Sequence, residues 1–316
     1  MYNEFSFIEK KLEPLTYGKV EARNLKDDCA FFTSISNLVI STDNSIEGVH
    51  VPIGTDVQIQ ARRAVLRALS DIATFGADPV CIFSSISIPK NFKKLNMDKI
   101  VLGFREALIE YNMFLAGGDT SCYNGPLMFS ITVLGNNGKK DSGRKGAKPG
   151  DLLVISGEIG SSYIGLKLLN GEIPKNKVKN HEYLVNKFLI PNPRIELGKK
   201  ICKFASSIID ISDGLLADLK HICEINKVGA KVESKNIFVY EEIKNLLEIN
   251  TLNDLTLING GDDYELLYTI KPEDSHLLDE DSTIIGEITL DNELKVINRE
   301  NKVFVVDKEF NGYNHF

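Results

Sequence analysis

Aspartates at the ends of apolar runs are the residues best suited to chemistry in this chain. Asp27 and Asp28 stand before Cys29-Ala30-Phe31-Phe32, Asp43 follows the apolar run at 37–40, Asp119 follows Gly117-Gly118, and Asp210 and Asp213 flank Ile211-Ser212. Asp71 falls seven residues after Ala64 and three after Ala68, which sets it at the edge of an apolar helical stripe. A carboxylate facing a core is costly unless a cation or hydrogen bonds compensate it. Each aspartate taken singly also fits a helix cap or a turn. Together, on several separate elements, they suit Mg²⁺, a hard cation that takes carboxylates along with the phosphate oxygens of a substrate. Ser212-Asp213-Gly214, opening a helix, would add backbone N–H groups and a positive dipole end suited to an anion. Gly117-Gly118 would let backbone approach a phosphate closely. The sequence contains no G-x-x-x-x-G-K-[ST], no H-R-D or D-F-G, no G-x-S-x-G and no H-E-x-x-H, so the common phosphate-binding and hydrolytic devices are missing.

The elements that must position these residues alternate between strand and helix, an α/β (α+β) pattern. Strands are expected at 37–40, 80–88, 127–134, 152–156, 207–211 and 266–270. Helices are expected at 58–76, 98–111, around 182–188 and at 214–226, with Gly157–Gly160 opening another. In the first of these Ala61, Ala64, Val65, Ala68, Leu69 and Ile72 share one stripe, and Gly76 is the stop. Residues 135–150, rich in Gly, Lys and Asn, read as a domain boundary. That gives an N-terminal domain over 1–137 and a C-terminal domain over 138–316. A chain of 316 residues, 43% hydrophobic, has the material for two such cores. The formal net charge of -7 argues against a nucleic-acid partner, so phosphates would be met by local groups or metal ions. Cys29, Cys81, Cys122, Cys202 and Cys223 form no C-x-x-C pair and read as reduced, small apolar residues. No apolar stretch approaches the ~20 residues of a membrane span. The start, MYNEFSFIEKKLEPL, lacks the layout of a signal peptide, so a cytoplasmic protein with no membrane partner is expected. The one internal echo is Gly-Gly-Asp before a strand, at 117–119 and 260–262.

In their order, several segments resemble the thiamine-monophosphate kinase family, within the superfamily of aminoimidazole ribonucleotide synthetase and selenophosphate synthetase. They are KDDCAFF (26–32), STDNSIEGVH (41–50), LSDIATFGADP (69–79), AGGDTSCYNGP (116–126), RKGAKPGDLLVISGEIG (144–160), PNPRIELG (191–198), IDISDGLLADL (209–219), NGGDDYELLYT (259–269) and GYNHF (312–316). The resemblance implies a two-domain aminoimidazole ribonucleotide synthetase-like fold. Its N-terminal domain would bind ATP and metal, and that domain's sheet would form a homodimer interface. It further implies ATP-dependent phosphorylation of thiamine monophosphate to thiamine diphosphate, the last step of thiamine diphosphate biosynthesis, with several Mg²⁺ ions.

The family's metal ligands map to Asp28, Ser41, Thr42, Asp43, Asp71, Asp119, Asp210 and Asp213, among which Asp43, Asp119 and Asp213 are the expected catalytic centre. ATP contacts map to Gly118, Asp119, Arg144 and Ser212, and substrate contacts to His50, Asp262 and Phe310. A phosphate monoester has its second pKa near ~6, so its attacking oxygen is already anionic at neutral pH and no general base is needed. Direct in-line transfer without a phospho-enzyme follows. Arg144 would add a fixed positive charge on the ATP phosphates, and Phe310 could offer a ring face to the thiazolium cation. Two positions depart from the family pattern: Lys26 stands for a usual Gly, and Asp262 for a usual Glu. Competing readings are a sibling ATP-dependent synthetase, a non-catalytic nucleotide or metal sensor, and a purely structural dimer.

Overall fold

Period-two patterning at 39–46 and 128–136 and the apolar runs flanking 82 and 115 build one four-stranded sheet in the computed structural model, which describes residues 4–27, 29–248 and 254–306. The chain divides into two units, Met1–Ile72 with Ala77–Gly138, and Ala73–Gly76 with Lys139–Phe316. The first unit begins with α1 (Glu4–Phe7) and a series of short helical turns that end at Leu25. There follow β1 (Val39–Ile46), α2 (Val57–Ala73, whose last residue belongs to the second unit), β2 (Asp78–Pro89), α3 (Lys94–Glu110), β3 (Phe114–Tyr123) and β4 (Met128–Asn136). The strand order is β1-β4-β2-β3, antiparallel except for the β2–β3 pair, which is parallel and joined through α3.

Side chains of successive strand residues point to opposite faces, and the sheet uses this fully. One face carries Phe129, Ile131, Val133, Ile82 and Ile86, all buried, and the helices cover it: Phe104 of α3 meets Phe129 edge-on with ring centroids 5.8 Å apart. The other face carries a small cluster of Cys81, Phe114, Ala116 and Leu134 under Ala22, and it opens toward β1, where Ile40 is 56% exposed. The strand expected at 37–40 starts two residues later and runs on to Ile46, because all of 39–46 finds ladder partners in β4. Ser41, Thr42 and Asp43 therefore lie inside a strand rather than after one. Gly117-Gly118-Asp119 likewise lies inside β3.

The second unit comprises β5 (Leu152–Ser156), α4 (Ser161–Leu169), α5 (His181–Leu189), α6 (Ile195–Ile201), β6 (Ser207–Asp210), α7 (Leu215–Asn226), β7 (Gly229–Glu233), α8 (Glu241–Glu248), α9 (Asp254–Ile258), β8 (Leu266–Ile270), β9 (Ser282–Thr289), β10 (Leu294–Ile297) and β11 (Val303–Val305). Its mixed sheet runs β11-β10-β7-β9-β5-β8-β6. β8 sits between β5 and β6 and is buried at every position, as its unbroken run Leu-Leu-Tyr-Thr-Ile requires. The core gathers Leu153, Ile155, Ile209, Leu215, Leu219 and Leu267. Gly260-Gly261-Asp262 is irregular chain before β8, so the two Gly-Gly-Asp sequences do not share a local structure. Among the described residues no helix is long and apolar enough to cross a membrane.

Candidate active site

Ser41, Asp43 and Asp71 are brought together in the first unit by a match of two repeats. One helical turn of four residues rises about 6 Å, and two strand residues advance about 6.6 Å. Helix α2 thus presents Arg67 and Asp71 in step with Asp43 and Ser41 of β1. The Ser41 hydroxyl donates to Asp71 Oδ2, Arg67 Nη2 lies 3.4 Å from Asp43 Oδ2, and Arg67 Nη1 donates to the Asn44 carbonyl at 3.2 Å. Arg67 was not singled out in the sequence, where it reads as one more polar residue on α2. At the far end of β1, the His50 ring accepts the Ile46 N–H on Nδ1 at 3.1 Å, which leaves the ring proton on Nε2.

Thr42 and Asp119 are not part of this cluster. Asp43 pairs across the sheet with Ile131, then Ser84, then Gly118, whereas Asp119 falls in the adjacent row with Ser85, Ser130 and Asn44. Asp119 is therefore on the opposite face from Asp43, and on the opposite edge, three strand spacings or about 14 Å away. Thr42 shares the face of Asp119, and its hydroxyl is bonded to Thr132 Oγ1 at 2.8 Å. Asp119 and Gly118 instead line a cleft of about 570 Å³ together with Gly117, Asp27, Cys29 and Ala30. Gly118 is glycine for a steric reason, since a Cβ there would lie 2.1 Å from the Ser84 carbonyl oxygen of β2. Asp28 lies outside the described residues. Lys26, in place of the family's Gly, has φ -106° and ψ 0°, a conformation that needs no glycine.

In the second unit two loops are laced together by backbone. Asp262 N–H donates to the Ser212 carbonyl, Tyr264 N–H to the Ile211 carbonyl and Ile211 N–H to the Glu265 carbonyl, each at 2.8 Å. The approach is so close that a Cβ on Gly261 would sit 2.4 Å from the Ser212 oxygen. This sets Asp210, Ser212 and Asp213 beside Asp262. Asp262 adopts a left-handed φ of 68°, which Asp tolerates better than most residues, and the Tyr264 hydroxyl donates to its Oδ1 at 2.8 Å.

The anion cradle expected at 212–214 is already filled by the protein. Asp218, buried in the first turn of α7, accepts both the Ser212 N–H at 3.0 Å and the Asp213 N–H at 3.1 Å on Oδ2. Burial and the charge of Asp213 push its carboxyl up to about 7, against the pull of those N–H groups and of Arg144. Arg144 itself is exposed, on a loop whose Arg144 carbonyl and Gly146 N–H are both bonded by the Asn226 amide, at 2.8 and 2.7 Å. Phe310 lies outside the described residues.

Other acids of the 260–266 block serve the scaffold. Asp263 accepts the Gly160 N–H on both oxygens, at 3.1 and 3.0 Å, at the start of α4, and desolvation in its half-buried position raises its carboxyl well above the usual range. Glu265 holds Arg194 through two bonds of 2.6 and 2.5 Å.

Among the described residues no three His, Cys, Asp or Glu side chains converge to hold a metal. The donors nonetheless suit Mg²⁺. They are all hard oxygens, they come in ones and twos as an ion that keeps water and phosphate oxygens requires, and Asp43 already holds the guanidinium of Arg67 as a resident cation.

Residues 26–136 match the family model described as AIR synthase related protein, N-terminal domain. The thiamine-monophosphate kinase of Buchnera aphidicola subsp. Schizaphis graminum is 34% identical over all of this chain and 99% of its own length. The crystal structure of thiamine-monophosphate kinase from Stenotrophomonas maltophilia is 29% identical, covering 93% of this chain and 96% of that one, with a TM-score of 0.80. AaThiL, solved in complex with AMPPCP and TMP, is 28% identical, covering 99% and 97% respectively, with a TM-score of 0.78.

Proposed function

The chain belongs to the thiamine-monophosphate kinase family, and we propose that it transfers the γ-phosphoryl group of ATP to thiamine monophosphate, giving thiamine diphosphate and ADP. One observation carries this reading: Asp43 and Asp71, set in step by β1 and α2 beside Ser41 and Arg67, stand on a chain related end to end to kinases of that name.

A terminal phosphate oxygen of thiamine monophosphate forms the new bond to the γ-phosphorus. The bond from that phosphorus to the β–γ bridging oxygen breaks, and its electron pair leaves with ADP. The acceptor oxygen carries no proton to be removed at neutral pH, so the residues need only bind and align. Asp119 and Gly118 take the nucleotide in the cleft beside β3, Arg144 and Ser212 contact its phosphates, and His50 and Asp262 contact thiamine monophosphate. Asp28 and Phe310 keep their proposed metal and substrate roles. Ser41, Thr42, Asp43, Asp71, Asp119, Asp210 and Asp213 would hold Mg²⁺, Thr42 through its backbone because its hydroxyl faces Thr132. Bound Mg²⁺ neutralises and aligns the reacting phosphates. We assign a 1–137 domain for ATP and metal, a 138–316 domain completing the enzyme, and a cytoplasmic location. The open face of the first unit's sheet, where Ile40 is 56% exposed beside the small cluster of Cys81, Phe114, Ala116 and Leu134, supports a homodimer through that face.

The test is to incubate the protein with ATP, Mg²⁺ and thiamine monophosphate and to follow thiamine diphosphate and ADP by chromatography. Equal amounts of the two products, abolished by EDTA and by Asp43→Asn, are expected. A folded, ATP-binding protein that makes no thiamine diphosphate would overturn the substrate assignment and favour a sibling synthetase or a sensor.

A further inference from the structure

We infer that Asp218 and Asn226, at opposite ends of α7, are positioning residues that fix the two loops presenting Ser212, Asp213 and Arg144 to the nucleotide; this rests on the function proposed above. Asp218 is 2% exposed and its Oδ2 accepts two consecutive backbone N–H groups, at 3.0 Å from Ser212 and 3.1 Å from Asp213. Two N–H groups on one buried oxygen define the orientation of the intervening peptide, and through it the direction in which Asp213 leaves the chain. Eight residues on, just over two helical turns away, the Asn226 amide does the same for the other loop. Its Nδ2 donates to the Arg144 carbonyl at 2.8 Å and to the Ile222 carbonyl at 2.8 Å, and its Oδ1 accepts the Gly146 N–H at 2.7 Å. Asn226 thus ties residues 144–146 to the last turn of the helix whose first turn holds 212–213. Helix α7 is anchored by Leu215, Leu216, Leu219 and Ile222, all buried, so it is a rigid spacer between the loops. Neither side chain needs to touch substrate. Each acts through backbone, which is why neither would stand out as a ligand.

The two ends make separable predictions. Loss of the Asn226 clamp frees Arg144, a contact made equally in ground and transition states, so Asn226→Ala raises KM for ATP by about 10-fold with kcat within about 2-fold. Loss of the Asp218 acceptor frees the turn bearing Asp213, so Asp218→Ala lowers kcat by about 10- to 100-fold and raises the Mg²⁺ concentration giving half-maximal rate. Asp218→Asn keeps an oxygen acceptor at the same point and retains kcat within about 3-fold.

A readout independent of turnover is the affinity for Mg²⁺·ATP by titration calorimetry, alongside amide hydrogen exchange at Ser212 and Asp213, which speeds up in Asp218→Ala and not in Asp218→Asn. Wild-type protein that binds Mg²⁺·ATP but forms no thiamine diphosphate refutes the function, while calorimetry and exchange still judge the positioning. Asp218→Ala with wild-type exchange and Mg²⁺·ATP affinity overturns the inference. So does Asp218→Asn impaired as badly as Asp218→Ala while still folded, because then charge and not the acceptor is what matters. For Asn226, an unchanged KM for ATP overturns it.

Discussion

Removing Arg194 while leaving Glu265 in place is the sharpest test of how the second unit is held together. Glu265 is 3% exposed and sits just before β8, where Arg194 Nε and Nη2 donate to its two oxygens at 2.6 and 2.5 Å. Ser156, at the end of β5, donates its hydroxyl to Glu265 Oε2 at 2.6 Å and accepts the Leu266 N–H at 2.8 Å, so the same carboxylate also ties β5 to β8. Arg194→Ala strands a buried carboxylate with one hydroxyl as its remaining donor. Breaking a buried pair in this way costs about 3–5 kcal/mol. The Arg194 side chain is 20% exposed, so water reaches the vacated space and the lower end, about 3 kcal/mol, is expected. Replacing both partners, Arg194→Met with Glu265→Leu, removes the buried charges together and should fall within about 1–2 kcal/mol of wild type. The chain has no Trp but 10 Tyr, so urea unfolding is best followed by tyrosine fluorescence and circular dichroism together. A single variant losing less than about 1 kcal/mol, or a double variant as costly as the sum of the singles, would refute the reasoning.

Gly118→Ala places a methyl group 2.1 Å from the Ser84 carbonyl, so β2 and β3 must separate. Its urea midpoint should fall by the equivalent of about 3 kcal/mol, and an unchanged midpoint would show that the strand gives way at no cost. Lys26→Gly restores the family residue, yet Lys26 has a negative φ, so the change relieves no strain and instead frees the unfolded chain. It should destabilise by about 0.5–1 kcal/mol, and any gain in melting temperature would contradict this. Asp263 carries a carboxyl raised chiefly by burial and opposed by the Gly160 and Ser162 N–H groups. The folded state therefore holds that proton more tightly than the unfolded state. The contribution of Asp263 to stability is fully present below the unfolded value near pH ~4 and is lost as pH rises through the raised folded value. Asp263→Asn has no proton to lose, so its stability relative to wild type should improve between pH 5 and 8, and parallel urea midpoints across that range would refute the assignment.

Much of this was legible because periodicity reports which side of an element a residue faces. Asp71 at the edge of the α2 stripe reads from the sequence as a carboxylate in need of compensation, and Ser41 supplies part of it. The pairing of Arg67 with Asp43 was not legible, since it depends on a helical turn keeping step with two strand residues, a register between elements that no single window contains. The family resemblance places Thr42 and Asp119 with Asp43 as metal ligands, and no single sequence window shows which face of a sheet each occupies. Once β1 runs to Ile46, alternation alone sends Thr42 to the other face, and the β2–β3 register does the same for Asp119.

The 260–266 block shows where sequence reasoning meets its physical limit. Three acids within four residues look alike in a sequence, and a motif containing them reads as a binding loop. The fold gives them three different fates. Asp262 is held by the Tyr264 hydroxyl next to the Ser212 turn, Asp263 caps α4, and Glu265 neutralises Arg194 from 71 residues away. Asp218 repeats the lesson, since an acid in the first turn of a helix is ordinary, and only the chain folding back over it makes it the acceptor for Ser212 and Asp213. A carboxylate consumed by backbone N–H groups or a guanidinium is a fixed part of the scaffold. A carboxylate set beside such a scaffold has its position determined by it, Asp213 through the Asp218 carboxylate and Asp262 through the Tyr264 hydroxyl. On the function proposed above, substitutions at the scaffold acids should therefore disturb phosphoryl transfer through geometry, and those at Asp213 and Asp262 through contact.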